Sequence, residues 1–375
     1  MRQARSSRGL QALAAIALFA ILFFIFAPST PSVDAESLRL ARLRKSSAAA
    51  ADPLSPPTSA FRKQARQKNG VRIPPPVVHY QMNNLTASAF PAKNNEKILI
   101  LTPLARFYQQ YWDNLVSLDY PHEHISLGYI IPITDEGNQA TAELQKQIQI
   151  TQSGPEEQRF QSVTILRQDF EPAQIDQDEK ERHAMKNQAA RRASMARARN
   201  SLLFPLIGPH TSWVLWLDGD IIETPPSLIQ DLASFDKPII NPNCYQRYTT
   251  DSGEADIRPY DYNAWRDSDV AQELARNMGP DEILLEGYAE MATYRTLMAL
   301  LADKTEARDT RKLMLLDGVG GTVLMVKAEV HRDGAMFPPF SFYHLIETEG
   351  FAKMAKRLGW ESWGLPNYFV YHVNE

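Results

Sequence analysis

The spacing of apolar residues divides the chain into three parts. Residues 9–27 (GLQALAAIALFAILFFIFA) form one apolar run in which Gln11 is the only strongly polar residue. Residues 28–95 show no regular apolar spacing and are rich in Ala, Ser, Pro, Arg and Lys. In residues 96–375, short apolar runs alternate with stretches of helical spacing. The pattern therefore predicts an apolar segment, a linker and one folded part.

The folded part is predicted to alternate between strands and helices. Buried apolar runs predict strands at residues 97–103, 125–131, 163–166, 213–217, 237–241, 322–327 and 368–372. Helical spacing predicts helices at about residues 107–118, 141–150 and 183–203, a short helix that begins at Pro225-Pro226, and a helix that follows Glu349. This alternation is typical of an α/β fold with a mostly parallel sheet covered by helices.

One predicted strand leads directly into two acidic residues. Residues 213–217 (WVLWL) suit a central strand buried on both faces. Asp218 and Asp220 follow at the sheet edge where open α/β sheets bind ligands. Their oxygen atoms suit Mg²⁺ or Mn²⁺ held together with substrate phosphates. This Asp-x-Asp pattern is typical of nucleotide-sugar-dependent glycosyltransferases, although Asp-Gly-Asp is also an ordinary turn.

The helix before that strand carries Arg191, Arg192, Arg197 and Arg199. These arginines form either a solvated basic face or, for one or two of them, a contact with a nucleotide diphosphate, which the forked donors of arginine suit. Arg199 is the preferred candidate for such a contact.

The last third of the folded part adds candidates that each have a structural alternative. The glycines of residues 317–321 (DGVGG) would let the backbone approach a ligand. Glu347 and Glu349 precede a helix, where they are either stabilised by the helix dipole or serve as catalytic or acceptor-binding carboxylates. His372 ends the last strand and is either structural or completes a metal site with the Asp-x-Asp pair.

A long insert at residues 244–310 is the predicted place for acceptor recognition. Tyr260, Tyr262 and Trp265 either stack on sugar faces or simply pack. Cys244 is the only cysteine, so no disulfide forms within the chain, and we interpret it as a small buried residue rather than a nucleophile.

The N-terminal part predicts a membrane anchor. Residues 1–8 carry three arginines and no acid, and residues 9–27 are about one bilayer crossing long. A signal-peptide core would be shorter and would end at a small-residue cleavage site. We therefore expect a cytosolic tail at residues 1–8, an uncleaved anchor and a lumenal remainder. Residues 28–95 would be a flexible stem, and Asn84-Leu85-Thr86 is an N-glycosylation sequon compatible with a lumenal position.

Charge is unevenly distributed along the chain. Residues 1–73 hold 12 Lys and Arg against 3 Asp and Glu, which leaves 28 basic against 41 acidic residues in the remainder. A net charge of −13 on residues 74–375 argues against nucleic acid as a partner and fits neutral glycans.

Several segments together resemble one known family. They are residues 195–203 (MARARNSLL), 213–247, 286–295 (EGYAEMATYR), 317–321 and 344–360 (HLIETEGFAKMAKRLGW). They resemble the fungal mannan polymerase α-1,6-mannosyltransferases of glycosyltransferase family 62, and the C-terminal segment is most similar to the Mnn-nine-type subunits. The resemblance covers residues 96–375.

The resemblance implies a GT-A-type, Rossmann-like fold. It implies GDP-mannose as the donor, Mn²⁺ (or Mg²⁺) as the metal, a mannose-containing glycan as the acceptor and retention of the α configuration. It further implies a single-pass Golgi membrane protein that works with other mannan polymerase subunits.

Individual residues match the motifs of that family. Asp218 and Asp220 match its metal motif, and His372 matches the histidine that joins them on the metal. We predict that Asp220, His372 and the donor diphosphate share the metal, with Asp218 contributing directly or through water and ribose. Arg199 and Thr102 are the predicted donor-binding residues.

Four acids are predicted to be catalytic: Asp218, Asp220, Glu347 and Glu349. Glu286 and Glu290 lie in matching segments without an assigned role. The mechanism stays open between attack on the face that the diphosphate leaves, with a diphosphate oxygen taking the proton, and a double displacement through a carboxylate nucleophile.

Two other functions remain compatible with the sequence. One is a transferase with another nucleotide-sugar donor, such as UDP-galactose. The other is a non-catalytic glycan-binding or assembly subunit of the same complex.

Overall fold

The computed structural model describes residues 67–68, 71–72, 77–170, 185–288 and 291–374, all within the unit Pro56–Glu375. The predicted tail and anchor, most of the predicted stem, and Glu290 lie outside these residues. Among the helices that are described, none has the length and apolar character needed to cross a membrane.

The strands and helices of the described residues follow in chain order. The strands are β1 (Gln67–Lys68), β2 (Val71–Arg72), β3 (Lys97–Pro103), β4 (Ile125–Ile131), β5 (Ser162–Arg167), β6 (Thr211–Leu217), β7 (Ile221–Glu223), β8 (Ile239–Thr249), β9 (Ala255–Pro259), β10 (Trp265–Arg266), β11 (Thr296–Leu297), β12 (Met314–Leu316), β13 (Val323–Lys327) and β14 (Ser362–His372). The helices are α1 (Gln109–Val116), α2 (Asp135–Ser153), α3 (Met185–Leu206), α4 (Leu228–Ala233), α5 (Asp269–Asn277), α6 (Ala328–Arg332) and α7 (Glu347–Arg357). Single 3₁₀ turns lie at Met82–Asn84, His122–His124, Glu156–Gln158 and Met298–Leu300.

One large mixed sheet organises this fold. Its order is β12-β14-β8-β13-β6-β3-β4-β5, and β7 and β9 pair with β14 and β8 at its side. Strands β3 to β6 are parallel, as predicted. Strand β13 is antiparallel to both β6 and β8, and β14 is parallel to β8 but antiparallel to β7 and β12. The prediction of a mostly parallel sheet is therefore wrong for the C-terminal half.

The reversal of β13 matters for the position of the site. The long insert after β8 returns the chain to the edge where β6 ends, so β13 starts there and runs in the opposite direction. Its first residue, Val323, is the partner of Leu217, the last residue of β6. The loop that precedes β13 is thereby placed beside the Asp-x-Asp segment.

Strand β6 is buried on both faces. Trp213 and Leu215 belong to a core cluster that packs with α1 and α2, whereas Val214 and Trp216 belong to a cluster that packs with α3 and α7. All four side chains have no exposed surface. The uninterrupted apolar run is thus explained by two opposite cores.

The structure corrects two predicted boundaries. Residues 77–95 were assigned to the stem, yet Ala87 is buried in a core cluster and the Ser88 N–H donates to the Glu96 carboxylate at 3.1 Å. Strand β8 extends to Thr249 and takes up the start of the predicted insert. Its Pro242 has no N–H to donate, and the β8–β14 register is irregular just after the pair that Pro242 forms. The proline obscured the strand in the sequence.

A buried histidine makes folding stability depend on pH. In α6, His331 Nδ1–H donates to the Ala335 carbonyl at 2.8 Å, and the Trp216 indole N–H donates to His331 Nε2 at 3.3 Å. Burial lowers the pKa of His331 from 6.5 to about 4. Between these values the unfolded chain binds a proton that the folded chain does not. We therefore expect this histidine to remove about 3 kcal/mol of stability as the pH falls from about 6.5 to 4.

Denaturant unfolding of the purified protein between pH 7 and pH 4 measures this effect. A His331→Gln variant should show a flatter dependence of unfolding free energy on pH, because the other titrating groups are common to both proteins. Equal slopes for the two proteins would contradict the prediction.

Candidate active site

The two Asp-x-Asp carboxylates lie at the end of β6, as predicted. The Asp218 N–H donates to the Thr322 carbonyl at 2.9 Å, which ties the segment to the loop before β13. A Cβ on Gly219 would lie 2.3 Å from the Leu104 side chain, so the central position requires glycine. The side chains of Asp218 and Asp220 are 19% and 36% exposed, so both border the solvent.

Strand pairing brings His372 to Asp220. The end of β14 pairs with β7, and the Val373 N–H donates to the Asp220 carbonyl at 2.9 Å. The imidazole Nε2 of His372 then lies 3.0 Å from Asp220 Oδ2. The imidazole Nδ1 lies 2.6 Å from the Val373 carbonyl oxygen. Because that oxygen only accepts, Nδ1 carries a proton, and Nε2 is the imidazole nitrogen that faces Asp220.

The Asp220–His372 pair fits a divalent cation. A carboxylate oxygen and an imidazole nitrogen 3.0 Å apart either form an ion pair, when the imidazole is protonated, or suit a shared cation, when it is neutral. Adjacent ligands of an octahedral ion with bonds of about 2.1 Å are about 3 Å apart. Asp220 Oδ1 is a buried acceptor with no hydrogen-bond partner. A histidine whose Nδ1–H donates to a backbone carbonyl is typical of metal ligands. No group of three or more His, Cys, Asp and Glu side chains in the described part of the chain is arranged to hold a metal. The geometry thus favours two protein ligands.

Asp218 is directed to Arg199 instead. Arg199 Nη2 donates to Asp218 Oδ1 at 3.1 Å and lies 3.2 Å from Oδ2. Burial, with the nearby Asp220 and Glu347 carboxylates, raises the pKa of Asp218 to about 7, although Arg199 opposes the shift. Two carboxylates, Asp218 and Glu347, therefore pair with one guanidinium, and Asp220 lies close enough to Asp218 to raise its pKa. The excess negative charge at this edge suits a bound cation.

Arg199 and Thr102, the predicted donor-binding residues, are both buried. Arg199 is 1% exposed and also donates from Nε to Glu347 Oε1 at 3.2 Å. Thr102 is 1% exposed, and its hydroxyl lies 2.7 Å from the Tyr111 hydroxyl. Neither side chain has a surface to offer a nucleotide in this structure. The geometry favours Arg199 as the residue that positions Asp218 and Glu347.

Glu347 occupies a strained position beside Arg199. Its φ is +53°, in the left-handed region that residues other than glycine rarely adopt. The Glu347 N–H donates to the Pro338 carbonyl at 3.0 Å, which helps to hold this conformation. Strained backbone of this kind concentrates at functional sites, so Glu347 stays a predicted catalytic residue.

Glu349 is placed differently. It has no exposed surface, Arg192 Nη1 donates to Oε2 at 2.7 Å, and the Trp265 indole N–H donates to Oε1 at 2.8 Å. Burial raises the pKa of Glu349, and Arg192 opposes the shift. Both oxygens are engaged within the protein, so Glu349 is in no position to contact a substrate here. Its geometry favours a structural role, although as a partner of Arg192 and Trp265 rather than through the helix dipole alone.

The glycines of residues 317–321 make room for the protein's own side chains. A Cβ on Gly318 would lie 2.4 Å from the Trp265 ring, and one on Gly321 would lie 2.6 Å from Arg199. A Cβ on Gly320 would lie 2.0 Å from Asp261 Oδ2. The close approach predicted from these glycines therefore involves internal side chains in this structure.

The insert contributes residues to the site that the sequence interpretation assigned otherwise. Trp265 is fully buried, which excludes it as a sugar platform, whereas Tyr260 and Tyr262 are 37% and 38% exposed. Tyr260 stacks on His372, with ring centroids 3.6 Å apart and an interplanar angle of 18°. Asp261 was not singled out, although the glycine loop that accommodates it was a signal for a close neighbour.

The remaining candidates do not contact the Asp220–His372 pair. Glu286 accepts from the Thr293 hydroxyl at 2.6 Å and pairs with Arg295 at 3.4 Å, so it belongs to the insert. Cys244 is buried, and burial raises the pKa of its thiol, which agrees with the prediction of an unreactive cysteine.

Comparison with known proteins identifies the family. The Anp1 family model matches residues 76–341. The mannan polymerase complex subunit mnn9 of Schizosaccharomyces pombe is 54% identical over 296 residues, which cover 79% of this chain and 86% of that protein. The corresponding subunit MNN9 of Candida albicans is 53% identical over 300 residues, 80% of each chain.

A solved structure shows a remote likeness. The mannosyltransferase PcManGT from Pyrobaculum calidifontis, in complex with GDP-Man and Mn²⁺, aligns with 74% of this chain and 56% of its own, at 12% identity and a TM-score of 0.38. This likeness is too distant to bear on the site. On the family model and the two close relatives, the chain belongs to the Anp1 family and is of the type of the Mnn9 subunits of fungal mannan polymerase complexes.

Proposed function

We propose that this protein is a metal-dependent α-1,6-mannosyltransferase of the GT-A fold. It transfers mannose from GDP-mannose to a mannose-containing glycan with retention of configuration, as a subunit of a mannan polymerase complex. The observation that carries the proposal is the Asp220–His372 pair, in which two metal-ligand atoms face each other at 3.0 Å. Family membership supports the choice of mannose and of a complex with other subunits.

Each residue of the site has a distinct task in this proposal. Asp220 and His372 hold Mn²⁺, with Mg²⁺ as a second candidate. When bound, the ion supplies positive charge that stabilises the departing nucleoside diphosphate. Asp218 faces the same edge and orients the donor ribose or a water on the ion. Arg199 donates hydrogen bonds to both Asp218 and Glu347 and thereby fixes the orientation of the two carboxylates.

Glu347 is the proposed carboxylate on the acceptor side of the reaction. Its carboxylate pairs with the Arg199 guanidinium, as that of Asp218 does, and the residue is 5% exposed. Because so little of Glu347 is exposed, a substrate would reach its carboxylate from one side. A metal held by Asp220 and His372 is compatible with both mechanisms. One is attack on the face that the diphosphate leaves, and the other is a double displacement.

We further propose that the protein is a Golgi membrane protein with a lumenal catalytic part. The basic residues 1–8, the apolar run at residues 9–27 and the sequon at Asn84 support this placement. Asn84 is exposed, as a glycosylated residue requires.

A transfer assay on the purified chain tests the proposed function. The protein is incubated with an α-1,6-mannobiose acceptor, Mn²⁺ and either GDP-mannose or UDP-galactose, and the product is digested with a linkage-specific α-mannosidase. We expect an α-1,6-linked mannose product from GDP-mannose that disappears when EDTA removes the metal. Product from UDP-galactose would favour another donor, and acceptor binding without product would favour a non-catalytic subunit.

A further inference from the structure

The aromatic ring of Tyr260 covers one face of the His372 imidazole. The ring centroids are 3.6 Å apart and the planes are nearly parallel, at 18°. Tyr260 follows directly on β9, and its N–H donates to the Cys244 carbonyl at 3.0 Å. The Tyr260 side chain is 37% exposed, whereas His372 is 2% exposed. Because the Tyr260 ring is partly exposed, we expect its stacking to orient the His372 imidazole more than it stabilises the hydrophobic core.

One hydrogen bond of the His372 imidazole joins it to the backbone of the neighbouring residue. The hydrogen bond to the Val373 carbonyl determines which nitrogen faces Asp220. It joins adjacent residues, however, and the β14–β7 register is irregular between Tyr371 and His372. The Tyr260 ring, 3.6 Å away, restricts rotation of the His372 imidazole out of the stacked plane.

Tyr260 is itself held by a short segment, residues 260–265, that is anchored at several points. Asp261 accepts at 3.2 Å from the hydroxyl of Thr322, the residue whose carbonyl accepts from the Asp218 N–H. Asn263 accepts from Arg192 at 3.0 Å, and the Trp265 N–H donates to the Gly318 carbonyl at 3.1 Å. The segment therefore presents Tyr260 to His372 from a fixed support.

We infer that Tyr260 is a positioning residue for the metal ligand His372, which it acts on through ring stacking. The inference rests on the proposed function, because it needs Asp220 and His372 to bind a divalent cation. Stacked aromatic pairs of this kind have strengths that correspond to about a three- to tenfold change in an equilibrium constant. The stack should therefore tune metal affinity rather than decide whether metal binds.

Calorimetric titration of Mn²⁺ into the full chain, with saturating GDP present, tests the inference. Tyr260→Leu, which removes the stacking ring, should weaken Mn²⁺ binding by about three- to tenfold. Tyr260→Phe keeps the ring and should bind within about twofold of the unaltered protein. Tyr262→Leu is the matched control, because Tyr262 lies in the same segment and is equally exposed. It should leave the affinity unchanged.

The outcomes separate this inference from the proposed function. If Tyr260→Leu binds Mn²⁺ as tightly as the unaltered protein while Asp220→Asn does not bind it, the positioning role is refuted and the proposed function stands. A Phe variant as weak as the Leu variant would assign the effect to the hydroxyl and would also refute stacking. Absence of Mn²⁺ binding by the unaltered protein would overturn the proposed function and this inference together. Thermal melting without metal checks that each variant is folded.

Discussion

Replacement of Asp220 by Asn should lower the rate of mannosyl transfer by about a thousandfold or more. The variant keeps the size of the side chain but replaces a charged metal-ligand oxygen with an amide. Asp220 Oδ2 lies 3.0 Å from His372 Nε2, and Oδ1 is buried without a hydrogen-bond partner. An amide at this position can still hydrogen-bond to His372, so the loss should be confined to metal binding and catalysis. Initial rates with GDP-mannose and Mn²⁺, together with the Mn²⁺ affinity, measure it.

Folding stability distinguishes this loss from misfolding. In the absence of metal, Asp220→Asn should melt at the same or a higher temperature than the unaltered protein, because it removes one of three neighbouring carboxylates. Asp251→Asn, at the exposed tip between β8 and β9, is the matched control and should retain full activity. An Asp220→Asn protein whose transfer rate stays within tenfold of the unaltered protein would refute the metal-binding role.

Replacement of Arg199 by Met should destabilise the folded protein by about 3–5 kcal/mol. The guanidinium is 1% exposed and pairs with both Asp218 and Glu347. Methionine fills a similar volume but leaves two carboxylates without their cation. Glu347, which is 5% exposed, is then a buried charge without compensation. Urea unfolding of the metal-free protein measures the change in free energy.

Two further variants test the cause of that loss. Arg106→Met removes a surface pair, in which Arg106 and Glu136 are 51% and 59% exposed, and should cost less than about 1 kcal/mol. Adding Glu347→Gln to Arg199→Met should recover part of the lost stability, because it removes one unpaired charge. Equal costs for Arg199→Met and Arg106→Met would show that the buried guanidinium does not hold these carboxylates.

The parts of the site that could be predicted are those encoded by neighbouring residues. The run from Trp213 to Leu217 predicted a strand with two buried faces, and the same segment placed Asp218 and Asp220 at its end. Both features depend on local order along the chain, and both agree with the structure. The glycines at residues 317–321 also signalled a close approach, but sequence could not tell whether a ligand or a side chain comes close.

The roles of the arginines and glutamates could not be predicted in the same way. Arg192 and Glu349 are 157 residues apart, yet they form a buried ion pair. The residue type alone is compatible with a solvated face, a nucleotide contact or an internal pair. Burial decides between these, because an arginine with no exposed surface must satisfy its donors within the protein. Burial therefore pairs Arg199 and Glu349 with internal partners, whereas the predicted roles of Arg199 in donor binding and of Glu349 in catalysis stay predictions.

The amino-acid sequence by itself determined the central strand, the acidic pair at its edge, the uneven charge and the family. The strand, the acidic pair and the charge follow from the order and spacing of residue types, which local physical preferences translate into structure, whereas the family follows from similarity to known proteins. Only the tertiary structure decided that His372 faces Asp220, that Arg199 supports Asp218 and Glu347, and that Tyr260 stacks on His372. Apart from the contact of Arg199 with Asp218, which spans 19 residues, these contacts join segments far apart in the chain. They depend on strand register and steric fit, which no local pattern of residues encodes.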